Sequence, residues 1–182
     1  MSDIADRYAT VADGFSSRLA AVHPDQWSAL SPCTEWTARE VVAHVIRTNR
    51  QVRCAVDGSE PAVVDAEGDL TAQWREARDA VAAALADPEL SATTVSGMFG
   101  EQPFESLVGR LLCADTLVHT WDLARATGQD EHLDPGAVSR AEEFLSPIDE
   151  AIRRPGGFAA KITPPEGADG QTSFLNFCGR AV

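Results

Sequence analysis

Residues 104–128 read FESLVGRLLCADTLVHTWDLARATG. By the helical period, Phe104, Val108, Leu111, Asp115, His119 and Asp122 fall on one face, so an apolar stripe turns polar in its second half. Gly128 supplies a C-terminal stop, which makes this the longest predicted helix of the chain. The polar half of the stripe needs a physical reason. An ionised carboxylate buried beside an imidazole is costly without a partner, and a divalent cation is one of the few partners that satisfies both. Asp115 and His119 lie four residues apart, one turn, which suits two ligands from a single helix.

A third ligand must come from elsewhere. His44 lies among Val41, Val45, Thr48 and Val52, on the inward face of a helix that the capping-box pair Thr37 and Glu40 opens and that runs to about Gly58. Two imidazoles and one carboxylate form a catalytic type of zinc site, in which three protein ligands leave the fourth position open to water or a thiol. Asp122, one turn beyond His119, reads first as a carboxylate that orients His119, and otherwise as a further ligand or a partner of Arg125. The plainer alternative is a hydrogen-bonded core histidine together with an Asp–His surface pair, and spacing alone does not separate the two.

Outward from these segments, Ile4, Tyr8, Val11, Phe15, Leu19 and Val22 make an amphipathic first helix that stops before Pro24. Residues 61–68 read as a loop. Leu70, Trp74, Ala77, Val81 and Leu85 mark a third helix ended by Asp87-Pro88, and residues 92–102, with Thr93, Thr94, Val95, Met98 and Phe99 around glycines, suit a short strand or hairpin that acts as a flap. Asp134-Pro135 opens a fifth helix through Val138, Phe144 and Leu145, ended by Pro147 or Pro155. Phe174, Leu175 and Phe177 predict a tail that packs back on the body. The fold class expected is all-α: a four-helix bundle with an accessory C-terminal helix and a short β-hairpin or flap, in one domain over residues 1–182.

Composition narrows the partners. With 28 Asp and Glu against 15 Lys and Arg, a formal charge of -13 disfavours nucleic acid and anionic membrane surfaces. The start, MSDIADRYATVADGF, lacks the features of an export signal, and no apolar stretch is long enough to span a bilayer. Cys33, Cys54, Cys113 and Cys178 are scattered without a CxxC pair, which suits reduced thiols and a cytoplasmic location.

Three stretches, WSALSPCTEWTAREVVAHVI (27–46), LLCADTLVHTWDLARATGQ (111–129) and FLNFCGR (174–180), resemble the actinobacterial metal-binding branch of the DinB/YfiT-like superfamily. Its members include mycothiol-dependent maleylpyruvate isomerase and mycothiol or bacillithiol S-transferases. The resemblance covers nearly the whole chain. It implies a DinB-like four-helix bundle holding zinc, or alternatively nickel, with His44 and His119 matching the family's histidines. Asp115 stands where the isomerase has a glutamate and where many members have a third histidine, and this bears on which metal binds and how tightly.

The isomerase carries a separate C-terminal domain, so isomerisation is not the first expectation for a chain of 182 residues. The resemblance instead implies a metal-dependent thiol S-transferase whose co-substrate is mycothiol and whose other substrate is a small electrophile, with a homodimer among the expected assemblies. A non-enzymatic metal- and thiol-binding module is one alternative. A metal-dependent hydrolase, with Asp122 orienting hydroxide, is another. From sequence alone Arg180 reads as a surface guanidinium, whereas the resemblance implies that it folds over the site and binds a substrate carboxylate. Asp122 and Arg180 are thus the expected catalytic pair. Cys33 could be a nucleophile near a helix start, but all four cysteines read first as small buried hydrophobes. Trp36 and Trp121 read as core, with a pocket wall as the alternative.

Overall fold

The structure, a computed structural model, describes residues 3–33, 36–97, 100–153 and 157–182. Four helices make the bundle: α1 (Asp3–Ala20), α2 (Ala38–Cys54), α3 (Leu70–Ala86) and α6 (Cys113–Thr127). Around the bundle α1 packs on α3 and α6, and α2 packs on the same two helices from the other side. The expected all-α, DinB-like architecture with a short hairpin is the one observed. Between α3 and α6 come a short helix, α4 (Pro88–Ala92), the hairpin β1 (Thr94–Gly97) and β2 (Gly100–Pro103), and a one-turn helix, α5 (Phe104–Leu107). The strands are antiparallel, with Thr94 opposite Pro103 and Gly97 opposite Gly100. Met98 and Phe99, assigned above to the flap, lie outside the described residues.

Local chemistry starts these helices where the sequence places them. Thr37 accepts from the Glu40 amide while the Glu40 carboxylate accepts from the Thr37 amide, which completes the capping box of α2. Asp69 caps α3 by accepting from the Ala72 amide. Asp87 ends α3 and also caps α4, so the Asp-Pro pair both stops one helix and starts the next. From the sequence, the pair predicts only the stop.

The segment entering α6 departs from the predicted straight stripe. Val108–Leu112 form a π-helical turn between α5 and α6. A π turn inserts one extra residue, so the face beyond it is rotated from the register that a 3.6 period predicts. Leu112, not Leu111, is therefore the fully buried leucine, together with Phe104 and Val108. Asp115, His119 and Asp122 follow the π turn and remain in register with one another.

Apolar residues cover α6 on two sides. One core cluster includes Phe15, Val41, Ile46, Trp74 and Phe104, and the second includes Trp121, Val138, Leu145, Phe174 and Leu175. The second is built by the accessory helix α7 (Pro135–Leu145) and by α9 (Gly170–Phe177), which contact one another. The tail thus packs back as expected, but as a helix, capped by Asp169 at the Thr172 amide. A 3₁₀ turn at Ser146–Ile148 contains Pro147 and follows α7, leading to the one-turn helix α8 (Asp149–Ile152); Pro155 lies outside the described residues. A helix covered on both sides buries polar residues along with apolar ones. That is how Thr116, His119, Thr120 and Asp122 come to be buried on α6. Among the described residues no helix is long and apolar enough to cross a membrane.

Candidate metal site

α2 and α6 pack side by side and bring His44 against Asp115 and His119. His44 Nε2 lies 3.0 Å from Asp115 Oδ1, and His119 Nε2 lies 3.7 Å from the same oxygen. One ligand atom from each of the three residues falls within 4.8 Å of the others. In a tetrahedral zinc site with bonds of about 2.0–2.1 Å, ligand atoms sit roughly 3.4 Å apart, so the two separations straddle the value a shared cation would set. Asp115 Oδ2 is buried without a hydrogen-bond partner, and a buried carboxylate oxygen left unpaired is costly. The three residues predicted from spacing are therefore brought together, and their donors fit a divalent cation.

Electrostatics agree with the geometry. Burial alone would raise the Asp115 carboxyl, but the His44 and His119 imidazoles beside it override that effect and hold it below its ordinary value. For Asp122, which is fully buried, burial again pushes up, while hydrogen bonds from Arg180 and His119 pull the carboxyl down by more.

The structure gives Asp122 and Arg180 well-defined partners. Asp122 Oδ2 lies 2.9 Å from His119 Nδ1 and accepts the proton that Nδ1 carries, which leaves Nε2 facing Asp115. Arg180 grips the same carboxylate with one edge of its guanidinium, Nε donating to Oδ1 at 2.9 Å and Nη2 to Oδ2 at 2.8 Å, while Nη1 donates to the Cys178 carbonyl. Arg180 is buried, so the surface reading of the sequence is corrected: the residue folds over the site, with Asp122 as its carboxylate partner. Arg125, considered above as a partner of Asp122, pairs instead with Glu131 and stacks over Trp121.

A short chain of backbone bonds delivers Arg180. The Gly179 amide bonds to the Asn176 carbonyl and the Arg180 amide to the Leu175 carbonyl, the two hydrogen bonds of a Schellman motif, with Gly179 left-handed at φ 79°. A Cβ on Gly179 would lie 2.8 Å from Ala159 Cβ and 2.9 Å from the Ala160 carbonyl oxygen. The Asn176 side-chain amide, through Nδ2, then donates to the Arg180 carbonyl at 2.8 Å. A glycine after an apolar run is a legible helix stop, but nothing local says that the next residue reaches α6.

His44 has looser company. Arg47 approaches its Nδ1 at 3.3 Å and Thr48 Oγ1 approaches Nε2 at 3.4 Å. With Arg47 donating to Nδ1, the ring proton sits on Nε2 and is donated to Asp115, the opposite tautomer from His119. Trp36 lines the site, its rings 4.8 Å from His44 and 5.8 Å from His119. Trp121 is fully buried in the second core cluster and packs as core.

Cys33, weighed above mainly as a core residue, is half-buried against the first cluster and also reaches the site. Its Sγ, a ring nitrogen of His119 and a carboxylate oxygen of Asp122 lie within 4.8 Å of one another. Burial pushes the Cys33 thiol up, and the Arg180 guanidinium beside it pulls the other way. Cys113 and Cys178 are buried, with thiols pushed up to about 11 and about 12. A groove of about 720 Å³ lies between α1, α3 and α4, and no residue of the site lines it.

Residues 8–124 match the family model described as the mycothiol maleylpyruvate isomerase N-terminal domain. Two uncharacterized proteins from two strains of Mycobacterium tuberculosis are each 36% identical to the chain over 174 residues, covering 93% of it and 93% of the relative. No solved structure gives a significant match. The chain belongs to the mycothiol maleylpyruvate isomerase N-terminal domain family.

Proposed function

We propose that this member of the mycothiol maleylpyruvate isomerase N-terminal domain family binds zinc, with nickel as the alternative, through His44, Asp115 and His119. In this reading the whole chain acts as one domain that transfers a low-molecular-weight thiol, mycothiol, to a small electrophile. The observation that carries the proposal is the convergence of two imidazoles on a carboxylate whose second oxygen is buried and unpartnered. Three protein ligands leave one position of a four-coordinate ion open.

When bound, the cation supplies one thing: it favours the deprotonated form of a thiol at that position, and the thiolate is the nucleophile. The protein's own residues do the rest. Asp122 holds the proton on His119 Nδ1 and so keeps Nε2 free as a ligand. Arg180 neutralises Asp122 and fixes its orientation through two hydrogen bonds, which makes both of them positioning residues. To ligate through Nε2, His44 must move its proton to Nδ1, and Arg47, which is exposed, then turns away to solvent. Trp36 excludes water from one side of the histidine pair. Both Asp122 oxygens are engaged by Arg180 and His119, which weighs against the hydrolase reading, in which Asp122 orients hydroxide.

Incubating the zinc-loaded full chain with mycothiol and monochlorobimane tests the proposal. The expected result is conjugate formation that requires both zinc and thiol and is lost in His44→Ala and His119→Ala. Zinc and thiol bound in stoichiometric amounts without turnover would reassign the protein as a binding module. Consumption of an ester or amide probe without any thiol would reassign it as a hydrolase.

A further inference from the structure

The α2 side of the candidate metal site carries a polar group that the three-ligand reading leaves unused. Thr48 lies one turn after His44, is buried, and brings Oγ1 to 3.4 Å from His44 Nε2. Nε2 is the nitrogen that faces Asp115, and so the one that would ligate. Arg47 meets His44 at the far nitrogen, Nδ1, and Asp122 likewise meets His119 at Nδ1. Among the described residues, Thr48 is therefore the one side chain outside the triad that comes within hydrogen-bond distance of a ligating nitrogen. An ion bonded to Nε2 at about 2.0–2.1 Å lies at most about 5.5 Å from Thr48 Oγ1, which one metal–sulfur bond of about 2.3 Å and one hydrogen bond can span.

The hydroxyl is free to serve a ligand there. Its proton is donated to the His44 carbonyl at 3.0 Å, the back-bond that a threonine inside a helix commonly makes. That carbonyl also accepts the Thr48 backbone amide in the ladder of α2, so it stays bonded when the hydroxyl turns away. A hydroxyl hydrogen rotates about its C–O bond without moving the oxygen, so the donor swings with no change of rotamer. Thr120 and Thr127 make the same back-bond on α6, to the Thr116 and Leu123 carbonyls, but neither has an imidazole nitrogen within hydrogen-bond distance. Position, not back-bonding, sets Thr48 apart. Being buried, its hydroxyl also gives more to a charged acceptor than a donor in water would.

We propose that Thr48 is a thiol-binding residue: its hydroxyl donates a hydrogen bond to the sulfur held at the open position of the metal site. The inference rests on the metal and thiol reading above and deepens it. Without metal, His44 Nε2 donates to Asp115 and the Thr48 hydroxyl donates to the His44 carbonyl. Once Nε2 turns its lone pair to an ion, Thr48 Oγ1 no longer faces an N–H and its own hydrogen turns to the sulfur. A thiolate is a charged acceptor, whereas the thioether that transfer leaves behind is a weak one. Thr48 therefore favours the reactant over the product at the same position, and it selects for a sulfur that has lost its proton.

Cobalt substitution of the full chain tests the proposal, because Co²⁺ reports thiolate ligation by a near-ultraviolet charge-transfer band while its visible d–d bands report the ion itself. Titrating the cobalt-loaded wild type with 2-mercaptoethanol should raise the charge-transfer band to saturation. Thr48→Val keeps the shape of the side chain without the donor. It should bind Co²⁺ within about twofold of the wild type but 2-mercaptoethanol about tenfold more weakly, the loss expected of one hydrogen bond to a charged acceptor. Thr48→Ala should repeat that loss, and Thr48→Ser, which keeps the hydroxyl, should bind the thiol nearly as the wild type does. Folded Thr48→Val or Thr48→Ala that binds the thiol as the wild type does overturns the proposal and leaves the three-ligand site standing. Metal binding weakened as much as thiol binding also overturns it, and makes Thr48 a support of His44 instead. A cobalt-loaded wild type that shows no charge-transfer band at saturating thiol overturns the thiol reading together with this proposal, and a folded wild type that binds neither Co²⁺ nor zinc overturns the metal reading as well.

Discussion

His44 and His119 face the same Asp115 carboxylate, but their surroundings differ. His119 is buried, and its Nδ1 is held by Asp122, which Arg180 grips from the C-terminal tail. His44 is about one-fifth exposed, and its other nitrogen meets Arg47 on the surface. One histidine is locked in the tautomer a metal ligand needs. The other must exchange tautomers, at the cost of one solvent-facing contact. The comparison teaches that the site is preorganised from the α6 side and completed from the α2 side, so substitutions on the two sides should differ in kind: loss of fold and metal on the first, loss of metal alone on the second.

The largest effect expected is that of Asp122→Ala. It leaves the Arg180 guanidinium buried and unpaired, for which the cost is about 3–5 kcal/mol, and it frees the His119 ring. Urea denaturation should show the lost stability, and zinc binding should weaken in whatever folded protein remains. Gly179→Ala comes next. The left-handed backbone alone costs about 1–2 kcal/mol, and the new Cβ also meets Ala159 and Ala160, so thermal melting should shift down and zinc affinity should fall with the misplacement of Arg180. In contrast, His44→Ala should change apo stability by no more than about 1 kcal/mol while abolishing zinc-induced stabilisation, which in the wild type reaches about 2.7 kcal/mol at zinc a hundredfold above its Kd. The smallest effect is that of Arg47→Ala. It removes both a competitor for His44 Nδ1 and a nearby positive charge, and calorimetry should find zinc bound up to about fivefold more tightly with the melting temperature of the apo protein unchanged.

Asp122 has a folded-state value held below the ordinary carboxylate value of about 3.9, so its contribution is present above the unfolded value and is lost as pH falls through the folded one. Arg180 is shifted the other way, upward, by the Asp122 carboxylate that overrides its burial, and stays charged throughout. Denaturation measured between pH 7 and pH 3 should therefore show wild-type stability falling below about pH 4 more steeply than that of Asp122→Asn.

Helix spacing made most of the bundle legible. The steps of three and four in α1, α2 and α3 predict the faces that are buried, and the Thr37–Glu40 pair predicts the start of α2. Periodicity failed at the π turn, where an inserted residue puts Leu112 in the place expected for Leu111. The clustering of His44, Asp115 and His119 was legible because two of them sit one turn apart on α6 and the third lies on the inward face of α2. The rest of the site depends on separations that no local rule encodes. Arg180 reaches Asp122 across 58 residues through a left-handed glycine and a helix end. Cys33 comes within reach of His119 from the segment before α2, a separation of 86 residues in sequence that no periodic pattern spans.

The decisive measurement is zinc binding by titration calorimetry on apo protein, wild type beside His44→Ala, Asp115→Ala and His119→Ala, with each fold checked by circular dichroism. The expected result is one zinc per wild-type chain and loss of that binding in all three folded variants. A folded wild-type chain that binds no zinc or nickel, or variants that bind as the wild type does, would contradict it and reduce His44, Asp115 and His119 to a buried hydrogen-bonded cluster.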